Sequence, residues 1–96
     1  MELSWMKTFI TVSELGSFRK ASEVLYVSQP TVTVHIKALE KELGVVLFER
    51  NQRMVKLTEE GRLYLTHAKK LLQIHEEGIS LLHSVAQGYK EKLRLA

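Results

Sequence analysis

The side chains best suited to chemistry fall in one polar run and one basic turn. The run from Ser28 to Lys37 mixes hydroxyl, amide, imidazole and amino groups with apolar residues, and Arg50 and Arg53 lie a short way beyond it. Such groups bind a partner through hydrogen bonds and charge, whereas catalysis would need a nucleophile and a base that converge in a pocket. This pattern therefore indicates a binding surface.

Other charged and metal-binding residues make no credible catalytic set. His67, His75 and His83 recur every eight residues, a spacing that drifts around a helix, and the chain has no cysteine. Glutamates that are one or two residues apart point in different directions on a helix, so they do not form acid/base pairs. This excludes Glu40, Glu42, Glu59, Glu60, Glu76 and Glu77. We therefore predict no enzyme, and neither a metal nor a cofactor in this chain.

The positive charge is concentrated in the middle of the chain. The net charge is +3, and residues 17–56 alone carry seven basic and four acidic side chains. A locally basic surface suits a polyanion, because neutralised phosphates release condensed counterions. No apolar run is long enough to span a membrane and the N-terminus lacks a signal-peptide pattern, so we expect a cytoplasmic location.

Three helices are predicted in the first half of the chain. Apolar residues at near-helical spacing predict a helix over 2–15, and Ser17 is a suitable N-cap for a second helix over 18–25. Ser28 caps a third helix with Pro30 in its first turn, and Gly44 ends it. The apolar stripe of this third helix consists of Val32, Ile36, Leu39 and Leu43.

The second and third helices form a helix-turn-helix, whose second helix enters the major groove of DNA. Gln29 can pair with adenine, and the hydroxyls of Thr31 and Thr33 can reach base edges. His35 and Lys37 can reach base acceptors or phosphates. The alternative interpretation is that this polar surface is simply the solvated face of an amphipathic helix.

A β-hairpin with a basic tip is predicted next. The β-prone segments 45–49 and 54–57 flank the tip, and Arg50 and Arg53 lie within it. Beside a recognition helix such a hairpin is a wing that meets the same duplex, although an ordinary charged turn has the same composition.

A long final helix is predicted from the cap Thr58 to about Gly88. No remaining segment is large enough to cover its apolar face, so we expect a homodimer. That face consists of Tyr64, Leu65, Ala68, Leu71, Leu72, His75, Ile79, Leu82, Val85 and Ala86. The sequence predicts a DNA-binding domain over 1–57, a dimerisation helix over 58–90 and, with a strand at 93–96, the start of a further domain over 91–96.

Together these motifs resemble the N-terminal domain of LysR-type transcriptional regulators, over essentially the whole chain. The residues that carry the resemblance are Gly16-Ser17-Phe18, Ala21-Ser22, Leu25, Val27-Ser28-Gln29-Pro30-Thr31-Val32-Thr33, Ile36-Lys37-Ala38-Leu39-Glu40, Leu43-Gly44, Leu47-Phe48-Glu49-Arg50, Arg53, Leu57-Thr58 and Gly61. The resemblance implies a mainly α winged helix-turn-helix and a linker helix that dimerises by antiparallel packing. It also implies a missing C-terminal domain that senses a small-molecule effector, and tetramers of the full-length protein.

The resemblance also assigns DNA-binding roles to individual residues. Val34 departs from the family, in which many members have arginine, lysine or glutamine there, and could instead touch a thymine methyl group. Candidate base or phosphate contacts are Gln29, Pro30, Thr31, Thr33, His35 and Lys37, the wing residues are Arg50 and Arg53, and Ser17, Phe18 and Ser28 secure the motif and its phosphate contacts.

Two rival functions share part of this pattern. A compact winged-helix regulator without a second domain would have the same motif, and a dimeric helical interaction module could use the basic turn to bind an acidic protein. The first conflicts with the strand expected at 93–96, and the second leaves the run from Ser28 to Lys37 without a role.

Overall fold

The computed structural model describes residues 1–50 and 53–95, and the side chains of 1–50 and 53–88. This part of the chain contains four helices: α1 (Leu3–Leu15), α2 (Phe18–Leu25), α3 (Gln29–Leu43) and α4 (Glu59–Leu95). Between α3 and α4 an antiparallel bridge joins Phe48 and Leu57. The mainly α fold with a long final helix is the one that the sequence predicted, and the first three helices match their predicted bounds to within a residue.

Capping hydrogen bonds explain where α2 and α3 begin. The Ser17 hydroxyl oxygen accepts from the Lys20 amide at 3.1 Å, and that of Ser28 accepts from the Thr31 amide at 3.2 Å. Each bond satisfies an amide that has no partner within its own helix. Pro30 lies in the first turn of α3, where its missing N–H costs nothing.

Left-handed residues end all three short helices. Gly16 and Gly44, at φ 65° and 72°, adopt this conformation without steric cost. Tyr26 ends α2 at φ 58° although it carries a side chain, and this conformation costs roughly 1 kcal/mol in a residue with a Cβ. The turn into α3 is therefore held by its surroundings.

A cluster of aromatic rings joins α1 to the other elements. The Phe9 ring lies 5.5 Å from that of Phe48 and 5.8 Å from that of Tyr64, and Phe48 in turn meets Phe18 edge-on at 5.8 Å. The pKa of Tyr64 is raised, mainly because the phenol is partly buried and to a smaller extent because the Glu42 carboxylate lies nearby. The phenol therefore stays neutral beyond its usual range.

The wing is paired over a shorter length than predicted. Beside the bridge, the Glu49 amide donates to the Lys56 carbonyl at 2.7 Å, and the Thr58 amide donates to the Leu47 carbonyl at 3.0 Å. Within the described residues these bonds replace the two predicted strands. The pairing cannot extend past Thr58, because the chain enters α4 there. Residues 51 and 52 of the predicted tip lie outside the described residues.

Helix α4 begins as predicted but continues further. The Thr58 hydroxyl oxygen accepts from the Gly61 amide at 2.9 Å and donates its proton to the Val46 carbonyl, so it caps α4 and ties it to the wing. The helix continues through Gly88 to Leu95. The strand predicted from Leu93 is therefore wrong for 93–95, because lysine, glutamate and leucine sustain a helix across one glycine. Ala96 lies outside the described residues.

The first turns of α4 pack on their own domain. Ala68 is fully buried, and Tyr64, Leu65 and Leu72 are partly buried against the same core. The sequence assigned all four to the dimer interface, and Ala68 has no exposed surface to give to a partner. The prediction is wrong for Ala68, because α1 lies along this part of α4, and it stays a prediction for the partly exposed Tyr64, Leu65 and Leu72. Trp5 packs against the core from α1.

Gly61 tests how closely the wing approaches α4. A Cβ at this position would overlap the Leu47 carbonyl oxygen and lie 3.0 Å from the Leu57 side chain, whereas a Cβ at Gly88 meets nothing. Gly61→Ala should therefore lower the free energy of unfolding by about 1–3 kcal/mol, as measured by urea denaturation. The control Gly88→Ala should not destabilise the chain, because it only improves helix propensity. Equal stability of the two variants would contradict this close approach.

Candidate nucleic-acid interface

The turn between α2 and α3 is compact. The Val27 amide donates to the Ser22 carbonyl at 3.1 Å, and the buried Ser22 donates its own hydroxyl proton to the Arg19 carbonyl at 2.6 Å. Val27 also packs against the core. These contacts fix the angle between the two helices and leave the N-terminus of α3 at the surface. The side chain of Tyr26, at the turn, is 94% exposed.

The first turn of α3 combines a cap with exposed polar groups. The hydroxyls of Ser28 and Thr31 lie 2.9 Å apart, in addition to the capping bond between the same two residues. Thr31 is half-buried, and its hydroxyl is already in contact with that of Ser28. Gln29 and Pro30 are exposed. Of the predicted contacts in this turn, Gln29 has the most accessible hydrogen-bonding group.

The outer face of α3 continues through Val34 and Lys37. Val34 is 62% exposed, and Lys37 is exposed too. Thr33 is half-buried and lines a cleft that also contains Phe18 and Arg50. The structure thus places Thr33 and Val34 on neighbouring parts of one accessible surface.

His35 differs from the other predicted contacts because it bonds to another helix. Its Nδ1 lies 2.8 Å from the hydroxyl oxygen of Thr8 on α1, and the His35 side chain is half-buried. One of its two ring nitrogens is therefore already engaged within the domain.

Basic side chains from α3 and the wing line one open groove. Lys37, Lys41 and Arg50 contribute positive charge to it, together with carboxylates from α3 and α4. The Glu40 carboxylate accepts from the Leu47 amide at 2.7 Å, which ties the wing to α3. The sequence analysis missed Lys41, although its position four residues after Lys37 places both on one helix face.

Comparison with known proteins decides what this arrangement is. The family model for bacterial regulatory helix-turn-helix proteins of the lysR family matches residues 3–62. The chain belongs to this LysR family. The relationship explains why the helix-turn-helix, the wing and the start of the long helix occur in this order.

Individual relatives extend the match to the whole chain. The HTH-type transcriptional regulator CitR of Bacillus subtilis is 51% identical over 96 residues, which are 100% of this chain and 33% of CitR. The chain thus spans about a third of the length of that relative. Within the family, the run from Thr31 to Lys37 resembles the corresponding run of a citrate-synthase regulator of bacilli. CitR, one of the relatives, is a regulator of Bacillus subtilis.

Solved structures match the fold closely. The BenM_DBD/catB site 1 DNA complex superimposes with a TM-score of 0.87 at 39% identity, over 93% of this chain and 96% of that one. The CbnR_DBD–DNA complex gives a TM-score of 0.82 at 38% identity, over 90% of this chain and 99% of that one. Both superimposed structures are domains of about this size that were solved with DNA.

Phe18 and Ser17 serve this LysR-family domain as scaffold. Phe18 packs edge-on against Phe48 and holds the wing base to α2, while Ser17 caps α2. The side chains of Arg50 and Arg53 are exposed. The wing is therefore anchored through its apolar residues and presents its basic ones.

An exposed apolar strip follows the buried part of α4. Of the predicted interface, Leu71, Ile79, Leu82 and Val85 are 42–70% exposed, and His75 is exposed too. The sequence analysis missed Leu63, Ile74 and Leu81, which are 64–66% exposed. Leu71, Ile74, Leu81 and Val85 recur at the spacing of a helix-pairing seam, which is the signal that could have found Ile74 and Leu81.

Metal-binding groups do not converge in the part of the chain that the structure describes. Across the described residues no group of three histidine or acidic side chains could hold a metal ion. In the same part of the chain, no helix combines the length and apolar character needed to cross a membrane.

Ser28 tests whether the cap supports the recognition face. Ser28→Ala removes the acceptor for the Thr31 amide and should lower the free energy of unfolding by about 1 kcal/mol in thermal or urea denaturation. Ser28→Asp supplies another capping oxygen and should recover most of this stability, because aspartate is an equally good N-cap. Full stability of Ser28→Ala would show that α3 does not depend on this cap.

Proposed function

We propose that this chain binds double-stranded DNA sequence-specifically as a homodimer and is the DNA-binding part of a bacterial transcription regulator. The observation that carries the proposal is the exposed N-terminal face of α3 beside a basic groove, in a fold that superimposes on domains solved with DNA. The recognition helix lies in the major groove, and the wing meets the backbone or the minor groove.

The exposed side chains divide between base reading and phosphate binding. Gln29 matches the donor and acceptor of adenine, and the Val34 side chain can contact a thymine methyl group. Thr31 and Thr33 reach base edges through hydroxyls that are only half-buried. The basic side chains bind phosphates and contribute most of the affinity that does not depend on sequence: Lys37, Lys41, Arg50 and Arg53.

A second copy of the chain covers the apolar strip of α4. The exposed part of this strip extends well beyond the domain core, since 37 helical residues span roughly 55 Å. Antiparallel pairing of two such helices places the two recognition helices on one side of the dimer. We expect them to bind half-sites about one helical turn, roughly 34 Å, apart or a multiple of it.

The whole protein adds functions that this chain does not contain. CitR is about three times as long as the matched segment, which supports a further C-terminal domain that binds a small-molecule effector. Residues 91–95, which the sequence analysis predicted as the start of that domain, continue α4. We also propose that the full-length protein forms tetramers from two such dimers, acts in the cytoplasm and catalyses no reaction.

Selection of duplexes from a random pool tests the proposal directly. The chain should enrich an inverted repeat and prefer it over a scrambled duplex by about a thousandfold at moderate salt. Titration across salt concentrations then separates base reading from charge, because the phosphate contribution falls as salt rises. Enrichment of no sequence, with weak binding that vanishes at higher salt, would refute sequence-specific recognition.

Single substitutions separate the two kinds of contact. Gln29→Ala should cost about 1–3 kcal/mol of binding free energy and relax the preference at one base pair, and Thr33→Ala should behave alike. Arg53→Ala should weaken binding to all sequences and reduce the salt dependence by about one phosphate. Fluorescence anisotropy on the selected and scrambled duplexes measures both. A Gln29→Ala variant that kept full base preference would remove Gln29 from the reading surface.

Charge on the α4 strip tests the dimer. Leu81→Glu puts a carboxylate among exposed apolar residues and should turn the dimer into a monomer in sedimentation equilibrium, because a charge cannot be buried unpaired. Ser80→Glu is the matched control, since Ser80 is exposed on the face of α4 opposite the strip and the same carboxylate there should leave the dimer intact. Dissociation of neither variant would move the interface elsewhere.

A further inference from the structure

Thr8 bonds differently from the other hydroxyl residues near it on α1. Thr11 and Ser13 donate to the carbonyls four residues earlier in their own helix, those of Lys7 and Phe9, each at 2.8 Å. The Thr8 hydroxyl oxygen instead lies 2.8 Å from Nδ1 of His35, which is 27 residues away on the recognition helix. Thr8 is only 2% exposed, so water cannot replace this partner.

Hydrogen-bond counting indicates which nitrogen of His35 carries the proton. Among the described residues Nδ1 is the one side-chain partner of the Thr8 hydroxyl. A proton on Nδ1 would leave the buried hydroxyl proton without an acceptor, which is costly. Both groups are satisfied when Thr8 donates to Nδ1 and the neutral ring carries its proton on Nε2.

The Nε2 atom of His35 lies at the surface. Every buried side-chain nitrogen and oxygen in the described part of the chain has a hydrogen-bond partner, and Nε2 makes no such bond there. It therefore reaches solvent. His35 lies one helical turn after Thr31, and both side chains are half-buried, so the ring lies at the edge of the face that carries Thr31.

We propose that Thr8 is a positioning residue that makes His35 a directed hydrogen-bond donor toward DNA. By holding Nδ1, it fixes the orientation of the ring and leaves Nε2–H to an acceptor on the duplex. Such an acceptor is a phosphate oxygen or the N7, O6 or O4 atom of a base edge, whereas the amino groups of adenine and cytosine do not fit. The inference rests on the proposed DNA binding and gives α1 a part in it.

Nitrogen NMR of the histidine ring tests the first step without DNA. At a pH where the ring is neutral, the unaltered chain should show a protonated Nε2 and an unprotonated Nδ1 that accepts a hydrogen bond. Thr8→Val has the same shape without the hydroxyl and should lose the signature of that bond, and Thr8→Ser should retain it. A proton on Nδ1 in the unaltered chain would overturn the proposal, even if Thr8→Val failed to fold.

Affinity for the duplex selected by the unaltered chain tests the second step. Thr8→Val should weaken binding about three- to tenfold, the effect of one hydrogen bond, and Thr8→Ser should restore most of it. In a His35→Ala background Thr8→Val should have no further effect on affinity, because the two residues act through one donor. A purely structural Thr8 would change the melting temperature but weaken binding equally in both backgrounds, which would also overturn the proposal.

The pattern of the loss identifies the acceptor. A weakening that is equal for all duplexes indicates a phosphate, and a weakening confined to one base pair indicates a base edge. If the unaltered chain prefers its duplex and a folded Thr8→Val variant binds that duplex equally well, the role of Thr8 is refuted and the proposed function stands. If the unaltered chain has no preferred duplex, the proposed function fails and the inference with it.

Discussion

The contact on which the rest of the structure depends is the packing of the Phe9 ring. Phe9 is fully buried in α1 and meets Phe48 at the wing base and Tyr64 at the start of α4, while Phe48 carries the contact on to Phe18 of α2. Tilted aromatic pairs are favourable beyond the area they bury. One ring therefore sets the positions of the elements around the recognition helix, although its own helix lies behind the recognition face.

This arrangement gives the recognition face little freedom. The apolar stripe of α3 is buried, its N-terminus is capped by Ser28, and Glu40 ties its last turn to the amide of Leu47. Side chains that are held before binding lose less entropy when they bind, so a rigid face favours discrimination between sequences. The polar residues of α3 consequently have two roles. Thr31 takes part in the cap, whereas Gln29 remains exposed and available for binding.

Helix α4 connects the domain core to the surface that a second copy would cover. Its first turns, up to Leu72, pack on α1, and the exposed apolar strip begins beside them on the same rigid helix. A continuous helix transmits orientation, because its backbone hydrogen bonds resist bending. The angle between the two reading surfaces of a dimer would thus be set where α4 packs against α1.

By itself the sequence determined what depends on near neighbours: the bounds of α1, α2 and α3, the caps at Ser17 and Ser28, and the helix-turn-helix that marks the family. Caps, turns and periodicity act within a few residues, so a local pattern suffices for them. The tertiary structure decided that α1 covers Ala68, that Lys41 joins Arg50 in one groove, and that Thr8 holds His35. Helical periodicity shows which residues share a face, but which neighbour covers that face depends on contacts between residues far apart in the chain.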